Sequence, residues 1–272
     1  MLGRDLVVHL ETTHQIMGAD LPEVDITDQT SIENVIETQR PDVVIHAAAC
    51  TAVDECEQQP AVAFRVNAEG TRNVASVCRQ ARIPLLYVST DYVFDGEKTD
   101  AYVESDSPNP INIYGRSKLE GERYVSDLID RSWIVRTSWL FGPLGKNFVK
   151  TILDMARRGQ SLRVVNDQAG SPTYTVDLAT ALEQIFEKGG PGIYHVTNQG
   201  HCSWYEFAEE ILRQAGLEGI SLTPIPTSAS GRPAPRPRNS CLANTRLQQE
   251  GLNLLPPWQD ALRRYLLRTR HE

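Results

Sequence analysis

The order of strand-like and helix-like segments is the feature that most limits the fold of this chain. Three apolar runs rich in branched or aromatic residues have the pattern of buried β-strands, at 41–49, 84–90 and 132–141. Helical patterns lie before and between them, most clearly at 29–39 and 60–80. Strands joined through helices pair in parallel, with right-handed crossovers and helices on both faces of the sheet. We therefore predict an α/β fold built on a Rossmann-type, doubly wound parallel sheet.

The pattern changes after Gly142-Pro143. Short helical and strand-like segments then alternate, with helices expected at about 146–158, at 176–187 and after Ser203. This region predicts a smaller C-terminal α+β lobe.

The first ten residues read as the start of a helix, with no strand before them. A dinucleotide-binding fold opens with a strand, a Gly-rich turn and then a helix, and the amides of the turn face the pyrophosphate. Gly3 alone stands where the last glycine of such a turn would lie. We therefore expect the first strand and most of the Gly-rich turn to be missing. Either the start is an internal Met, or the chain lacks half of its phosphate cradle. Residues 14–20 are the candidate second strand, and Asp20 at its end either meets an adenosine ribose or belongs to a simple turn.

Composition narrows the class of protein. The 272 residues are 40% hydrophobic and 23% charged, which suits one large core, or a core and a smaller lobe. A formal net charge of −8 argues against a nucleic-acid partner. Apolar runs stay well below the ~20 residues of a membrane span, and we expect no membrane association and no signal peptide. The five cysteines are odd in number and form no C-x-x-C motif, so we expect reduced thiols in a cytoplasmic protein.

Tyr114 and Lys118 are the first candidate catalytic pair. Four residues separate them, so on a helix both side chains lie on one face. A free phenol has a pKa near ~10, and an adjacent ammonium lowers that pKa toward the range of acid–base catalysis. The alternative is an ordinary surface pair worth a few tenths of a kcal/mol. The pair predicts proton transfer to a carbonyl oxygen.

Two strand ends supply further candidates. The strand at 84–90 ends in hydroxyls and is followed by Asp91, while the strand at 41–49 ends in Ala47, Ala48 and Ala49. Small side chains at a strand's carboxyl end let a flat ligand approach the backbone, although alanines also serve tight strand–helix packing. Asn67, inside the helix at 60–80, either holds a water or a backbone carbonyl or is simply solvated.

The loop at 231–240 is rich in proline and contains Arg232, Arg236 and Arg238. These arginines either clamp a diphosphate through bidentate contacts or lie in a solvated loop.

Nine ordered blocks give the sequence a family resemblance. They are Asp25–Asp28, Arg40–Ile45, Ala47–Asp54, Val66–Ala68, Ser89–Gly96, Asn112–Glu122, Arg136–Gly142, Lys146–Lys150 and Asp167–Thr173. Together they resemble the dTDP-4-dehydrorhamnose reductases, an extended branch of the short-chain dehydrogenases/reductases. The resemblance runs from Met1 nearly to the C-terminus.

The resemblance implies reduction of the 4-keto group of dTDP-4-dehydro-L-rhamnose by NADPH or NADH. By the matching motifs, Thr90 polarises the carbonyl, Tyr114 is the acid, and Lys118 tunes Tyr114 and holds the nicotinamide ribose. Asp91 and Trp139 fall on substrate-binding positions. The implied cofactor contacts are Met1, Leu2, Asp25, Ile26, Ala47, Ala48, Ala49, Tyr114 and Lys118. Cys50 stands where the family usually has Tyr, so one contact near the cofactor or substrate is expected to differ.

The resemblance also implies how the chain divides into domains and subunits. Residues 1–142 would form an N-terminally truncated dinucleotide-binding domain, and residues 143–272 mainly a substrate-binding lobe, with some segments returning to the main domain. A homodimer is expected, with Mg²⁺ at the subunit contact on family resemblance alone, since the sequence offers no ligand cluster for a metal. Two alternatives stay open: a non-catalytic relative such as the regulatory subunit of methionine adenosyltransferase, or an inactive truncated fragment. The intact set Thr90, Tyr114 and Lys118 favours the reductase.

Overall fold

A four-stranded parallel sheet forms the centre of the computed structural model, which describes residues 1–269. The strands along the chain are β1 (Val44–His46), β2 (Leu85–Thr90), β3 (Ser132–Thr137), β4 (Leu140–Phe141), β5 (Leu162–Val165), β6 (Ala169–Gly170), β7 (Thr173–Tyr174), β8 (Gly192–His195), β9 (Cys202–Ser203) and β10 (Leu222–Ile225). The central sheet has the order β1-β2-β3-β8, and each neighbouring pair is parallel. Every residue of β2 and β3 is buried, as expected where both faces are covered.

Helices connect these strands. They are α1 (Leu2–Leu10), α2 (Gln29–Gln39), α3 (Val53–Gln58), α4 (Pro60–Phe64), α5 (Thr71–Ala81), α6 (Ile113–Leu128), α7 (Phe148–Arg157), α8 (Thr175–Lys188), α9 (Trp204–Ala215), α10 (Thr245–Gln249) and α11 (Trp258–Thr269). Helices α2, α6, α7 and α9 begin at a side-chain cap. The side chain of Asp28 caps α2, and Ser203 with Glu206 forms a capping box at α9. A π-helical segment, Arg65–Gly70, joins α4 to α5.

Alternate residues of β2 build the two apolar layers of the main domain. Leu86 and Val88 pack into a cluster with α1 and α8, whereas Leu85 and Tyr87 pack into one with α2, α5 and α6. This division follows from the two-residue period of a strand, which sends neighbouring side chains to opposite faces. The predicted α/β sheet with helices on both faces is confirmed.

A third apolar cluster belongs to the C-terminal part of the chain. Phe141, Leu153, Phe207 and Leu262 are among its buried members, and a small parallel pair of strands, β5 and β10, lies next to it. Three later segments belong instead to the main domain: β8 is the last strand of the central sheet, and α8 and α10 pack against it. Within the described residues, each helix falls short of the length or the apolar character that a bilayer crossing requires.

The predicted second strand at 14–20 is wrong, because the structure has no strand there. Ile16 still packs against the apolar cluster formed with α1 and α8, so the segment is anchored through one side chain without a strand ladder. Its composition explains the outcome: Ile16 is its one β-branched residue, and Gly18 lies near its end. Asp20 accepts a hydrogen bond from the backbone of Leu21, which is a turn contact.

Candidate active site

The end of β2 and the start of α6 meet at the carboxyl edge of the sheet. The Thr90 hydroxyl accepts a hydrogen bond from the amide of Tyr92 at 3.2 Å and donates one to Asp91 Oδ1 at 3.0 Å. Asn112 caps α6, and the ring of Tyr114 packs edge-on against Tyr92 with centroids 5.9 Å apart. The helix can come this close because position 115 is glycine. A β-carbon there would overlap the Tyr92 carbonyl. The sequence thus brings a strand-end hydroxyl and a helix-borne phenol together.

Burial, rather than the lysine, controls the proton affinity of Tyr114. Desolvation raises the pKa of the phenol above its ordinary value, and a hydrogen bond with Thr90 offsets part of that rise. The expectation of a lowered pKa for Tyr114 is wrong for this structure, because desolvation of the phenol outweighs the stabilisation of a phenolate by a nearby ammonium. The phenol is therefore protonated at neutral pH, which is the form that can donate a proton.

Lys118 lies beneath this edge of the sheet, and only 2% of its surface is exposed. Its Nζ donates to the Val88 carbonyl at 2.8 Å and sits 4.1 Å from the ring centroid of Tyr87. Burial lowers the pKa of the ammonium from 10.5 to about 7, and the Glu122 carboxylate opposes that fall. An ammonium has three donors, so within the described residues Lys118 keeps two for a ligand.

A buried ion pair that sequence reasoning missed lies next to Lys118. Arg136 binds Glu122 through two contacts, Nε to Oε1 at 2.9 Å and Nη2 to Oε2 at 2.7 Å, and Ser89 donates to the same carboxylate at 2.5 Å. The pair joins α6 to β3 in a fork geometry and rigidifies the floor of the site. No local pattern in the sequence signals this pair, because its two members lie on different elements, Glu122 on α6 and Arg136 on β3.

Asp91 is a buried carboxyl at the site, 3% exposed. Its Oδ1 accepts from Thr90, and the Ser240 hydroxyl lies near the carboxyl and favours its charged form. By hydrogen-bond geometry, Oδ2 has no partner among the described residues. Burial raises the pKa of Asp91 to about 7. An unpaired buried oxygen is costly unless a ligand uses it, so this atom is a candidate contact for a polar substrate.

Asn67 links the loop after β1 to α6. It lies in the π-helical segment, is fully buried, and donates to the Cys50 carbonyl at 3.1 Å and to Ser117 Oγ at 3.0 Å. It also accepts from the Cys50 amide at 2.8 Å. Of the alternatives open from sequence, the backbone-carbonyl contact is the one observed. Single-turn π segments are frequent at functional sites.

The predicted cofactor residues fall on two segments at the sheet edge. Ala47, Ala48 and Ala49 follow β1 in open backbone, and none of them is fully buried. Asp25 and Ile26 precede α2: Asp25 accepts from the Thr27 amide and hydroxyl, and the Ile26 side chain packs over Gly70.

Met1 and Leu2 begin α1. Met1 carries no side-chain cap and lies beside Gly145 in the loop that follows β4, while Leu2 is buried in the core. A bare helix N-terminus suits a phosphate, small alanines admit a flat ring, and Lys118 offers spare donors. The chemistry of these residues therefore suits the binding of a nicotinamide dinucleotide.

Trp139 connects the main domain to the C-terminal lobe. Its backbone has φ of 48°, and its ring stacks on Trp204 of α9 with centroids 3.5 Å apart and planes inclined by 8°. A β-carbon on Gly170 would overlap the Trp139 ring, so this glycine makes room for it. A non-glycine residue held at positive φ costs free energy, and such residues cluster at functional sites. Unlike Arg40 and Arg82, which also have positive φ, Trp139 does not cap a helix. The described contacts of Trp139 are with the lobe rather than with Tyr114.

The arginines of the loop at 231–240 divide into two groups. Arg232 and Arg236 both bind Asp54 on α3, at 2.9 Å and 2.5 Å. Arg238 is exposed and lines a cavity of about 450 Å³ together with Asp167 and Glu206. The predicted clamp of three arginines on a diphosphate is therefore wrong, because the Asp54 carboxylate already binds two of them.

A separate group of possible metal ligands lies where the segment after α1 meets α8. His14, Glu183 and Glu187 have ligand atoms within 4.8 Å of one another, and His14 is already hydrogen-bonded to Glu183 at 3.0 Å.

Comparison with known proteins decides the family. A family model described as the RmlD substrate binding domain matches residues 1–271. The chain belongs to the dTDP-4-dehydrorhamnose reductase (RmlD) family. The family predicted from the ordered motifs is confirmed.

Similar RmlD-family proteins extend over nearly the whole chain. A dTDP-4-dehydrorhamnose reductase from Aggregatibacter actinomycetemcomitans is 42% identical, over 96% of this chain and 94% of its own. The spore coat polysaccharide biosynthesis protein SpsK of Bacillus subtilis is 40% identical, over 97% of this chain and 93% of its own.

The fold of the chain also matches that of a solved dTDP-4-dehydrorhamnose reductase. A crystal structure of dTDP-4-dehydrorhamnose reductase from Bacillus anthracis in complex with NADP superimposes with a TM-score of 0.95 at 39% identity, covering 98% of this chain and 95% of that one. The UDP-glucose 4-epimerase of Thermus thermophilus, at 21% identity and a TM-score of 0.84, shares the fold.

Proposed function

We propose that this chain reduces the 4-keto group of dTDP-4-dehydro-L-rhamnose to give dTDP-L-rhamnose, using NADPH or NADH. The observation that carries the proposal is the convergence of Thr90, Tyr114 and Lys118 at one sheet edge in a chain of the RmlD family. Relatives named as dTDP-4-dehydrorhamnose reductases and a similar structure solved with NADP support the substrate and the cofactor. The regulatory-subunit alternative has no such support.

The roles of the catalytic residues follow from their chemistry. A nicotinamide cofactor supplies a hydride to the carbonyl carbon when it is bound. Tyr114, protonated at neutral pH, donates its proton to the carbonyl oxygen as negative charge develops there. The Thr90 hydroxyl turns from Asp91 to the same oxygen and stabilises that charge. Lys118, protonated, stabilises the phenolate that Tyr114 becomes.

The substrate and cofactor would divide between two parts of the chain. Residues 1–142 form the proposed cofactor domain, with contacts from Met1, Leu2, Asp25, Ile26 and Ala47–Ala49. Residues 143–272 form most of the proposed substrate lobe, and Asp91 and Trp139 face it from the main domain. The separate apolar cluster of the C-terminal part supports this division. Five free cysteines support a cytoplasmic location, and a homodimer is proposed on family resemblance alone.

Replacement of Tyr114 by Phe tests the proposed function. Tyr114→Phe removes the proton donor but keeps the ring, so we expect kcat to fall by at least ~10²-fold while the Kd for the sugar nucleotide changes little. Turnover is followed as loss of NADPH absorbance with dTDP-4-dehydro-L-rhamnose, and binding by calorimetry. Tyr124→Phe, the same change on the same helix, is the matched control and should keep near-normal turnover.

Near-normal kcat in Tyr114→Phe would remove Tyr114 from the mechanism. An inactive wild-type chain that still binds the sugar nucleotide would instead favour the truncated-fragment alternative.

A further inference from the structure

Two of the five cysteines lie side by side next to the candidate active site. The Sγ atoms of Cys50 and Cys56 are 3.5 Å apart, and the Cys56 thiol also reaches the Cys50 carbonyl at 3.6 Å. Cys50 lies in the loop after β1 and is partly exposed, while Cys56 is buried on α3 with 1% exposure. The remaining cysteines, Cys78, Cys202 and Cys241, are buried.

We propose that Cys50 and Cys56 form a reversible disulfide under peroxide stress, and that this disulfide slows the enzyme by displacing α3 from the start of α6. The formation of the bond is independent of the proposed function, whereas its effect on turnover rests on that function.

The geometry assigns different roles to the two sulfurs. The Cys56 thiol donates toward the Cys50 sulfur, so the two sulfurs already face each other. Cys50 is also the sulfur that solvent can reach, so it is the one that a peroxide meets first. Burial raises the pKa of Cys56 to about 12, which keeps it a thiol until it reacts.

The oxidation proceeds in two balanced steps. The Cys50 thiolate attacks one oxygen of hydrogen peroxide, the O–O bond breaks, and hydroxide leaves as Cys50 becomes a sulfenic acid. The Cys56 sulfur then attacks the sulfur of that sulfenic acid, its proton goes to the departing hydroxyl, and water is released. Two thiols are oxidised to one disulfide, and one peroxide is reduced to two waters.

Formation of the bond requires movement. A disulfide has an S–S length of about 2.05 Å, so the two sulfurs must approach by about 1.5 Å from their separation of 3.5 Å. The main chain of Cys50 is held on both sides by Asn67, through the amide and carbonyl contacts described above. With Cys50 held, the Cys56 sulfur makes most of the approach, by rotation of its side chain together with movement of the short helix α3.

Helix α3 is connected directly to the catalytic helix. The Glu57 carboxylate, one residue after Cys56, accepts a hydrogen bond from the Ile113 amide at 3.0 Å. Ile113 is the first residue of α6 and immediately precedes Tyr114. A shift of α3 toward Cys50 breaks or lengthens this contact and changes the position of the phenol. Misplacement of a catalytic group by about 1 Å can cost up to ~10²-fold in rate.

Peptide mapping tests the bond itself. The reduced protein is treated with hydrogen peroxide, free thiols are blocked with N-ethylmaleimide, and the chain is cut before Asp54, which places Cys50 and Cys56 on different peptides. We expect the two peptides to be joined, and to separate after dithiothreitol. Recovery of both peptides carrying the maleimide, or of Cys50 in the sulfinic form with Cys56 unmodified, would overturn the proposal.

Hydrogen exchange tests the link to α6 without any need for activity. The amides at the start of α6 should exchange faster in the oxidised protein than in the reduced protein, since the Ile113 amide loses its carboxylate partner. Cys78→Ala, which leaves the pair intact, should show the same difference. Cys50→Ser should abolish it, and Cys56→Ala serves as a second variant should Cys50→Ser fail to fold. Equal exchange in oxidised and reduced wild type would overturn the displacement of α3.

Turnover tests the regulation. In wild type and Cys78→Ala, oxidation should lower kcat/KM by about tenfold or more, and dithiothreitol should restore it. Cys50→Ser should show the same kcat/KM before and after peroxide, whatever its starting value. Oxidised wild type that is fully active would overturn the regulation. A reduced wild type with no activity would refute the proposed function, while mapping and exchange would still decide the disulfide and the displacement of α3.

Discussion

At the scale of single residues, the environment of Asp91 has consequences for stability as well as for binding. Burial raises the pKa of this carboxyl from 3.8 to about 7, so the folded protein holds a proton there that the unfolded chain releases above pH 4. The stability associated with this proton is complete below pH ~4 and is lost as pH rises through about 7. Each pKa unit corresponds to about 1.4 kcal/mol, so the total effect is on the order of 4 kcal/mol.

The pH dependence of Asp91→Asn tests this assignment. The amide does not ionise, so the variant should lose the destabilisation that charging Asp91 causes in wild type. We expect the free energy of unfolding of the variant, relative to wild type, to increase by about 2–3 kcal/mol between pH 5 and pH 8. Urea denaturation of both proteins at the two pH values measures this difference, and the other titrating groups cancel in the comparison. A difference that is constant with pH would mean that Asp91 is ionised in the folded protein.

At the scale of elements, the close approach of α6 to the end of β2 determines where the phenol lies. Gly115→Ala would place a β-carbon into the Tyr92 carbonyl, a backbone atom that can move only with its whole segment. We expect kcat/KM to fall by about tenfold or more and the free energy of unfolding to fall by about 1–3 kcal/mol. Steady-state assays and thermal unfolding measure the two effects.

Gly219→Ala is the control for this substitution. A β-carbon there meets nothing within 4 Å, so neither activity nor stability should change appreciably. Normal turnover in Gly115→Ala would show that the spacing of α6 and the strand end does not limit catalysis.

The elements near the site also show what the sequence predicts and what it leaves out. Helix α6, its Asn112 cap and strand β2 were predictable because their signals are local: spacing, capping and apolar runs. The Glu122–Arg136 pair and the contacts of Asn67 depend on which segments meet in three dimensions, which a single sequence does not encode in any local pattern.

The proton affinity of Tyr114 was misjudged for a related reason. Spacing on a helix places a lysine near a phenol, but the balance between burial and charge depends on the surrounding protein.

At the scale of the whole molecule, the two parts of the chain meet through a pair of stacked indoles. Trp139 follows β3 of the main sheet, and Trp204 begins α9 of the C-terminal part. Their rings lie 3.5 Å apart, and Trp204 also contacts Phe148 and Phe207 of the lobe core. The plane of Trp139 is therefore fixed by the packing of the lobe, so a substrate contact made by Trp139 depends on residues that never touch the substrate.

Trp204→Ala tests this dependence. Without its stacking partner, Trp139 can leave the strained conformation at φ of 48°, and the substrate then loses a pre-positioned surface. We expect KM for the sugar nucleotide to rise by about tenfold, with kcat and KM for NADPH changing by less than about threefold, because proton transfer by Tyr114 does not involve the indoles. Tyr205→Ala removes the neighbouring aromatic on α9 and should leave all three constants nearly unchanged. A fall in kcat equal to the rise in KM would show that the lobe acts on the chemical step, and an unchanged KM would remove Trp139 from the substrate site.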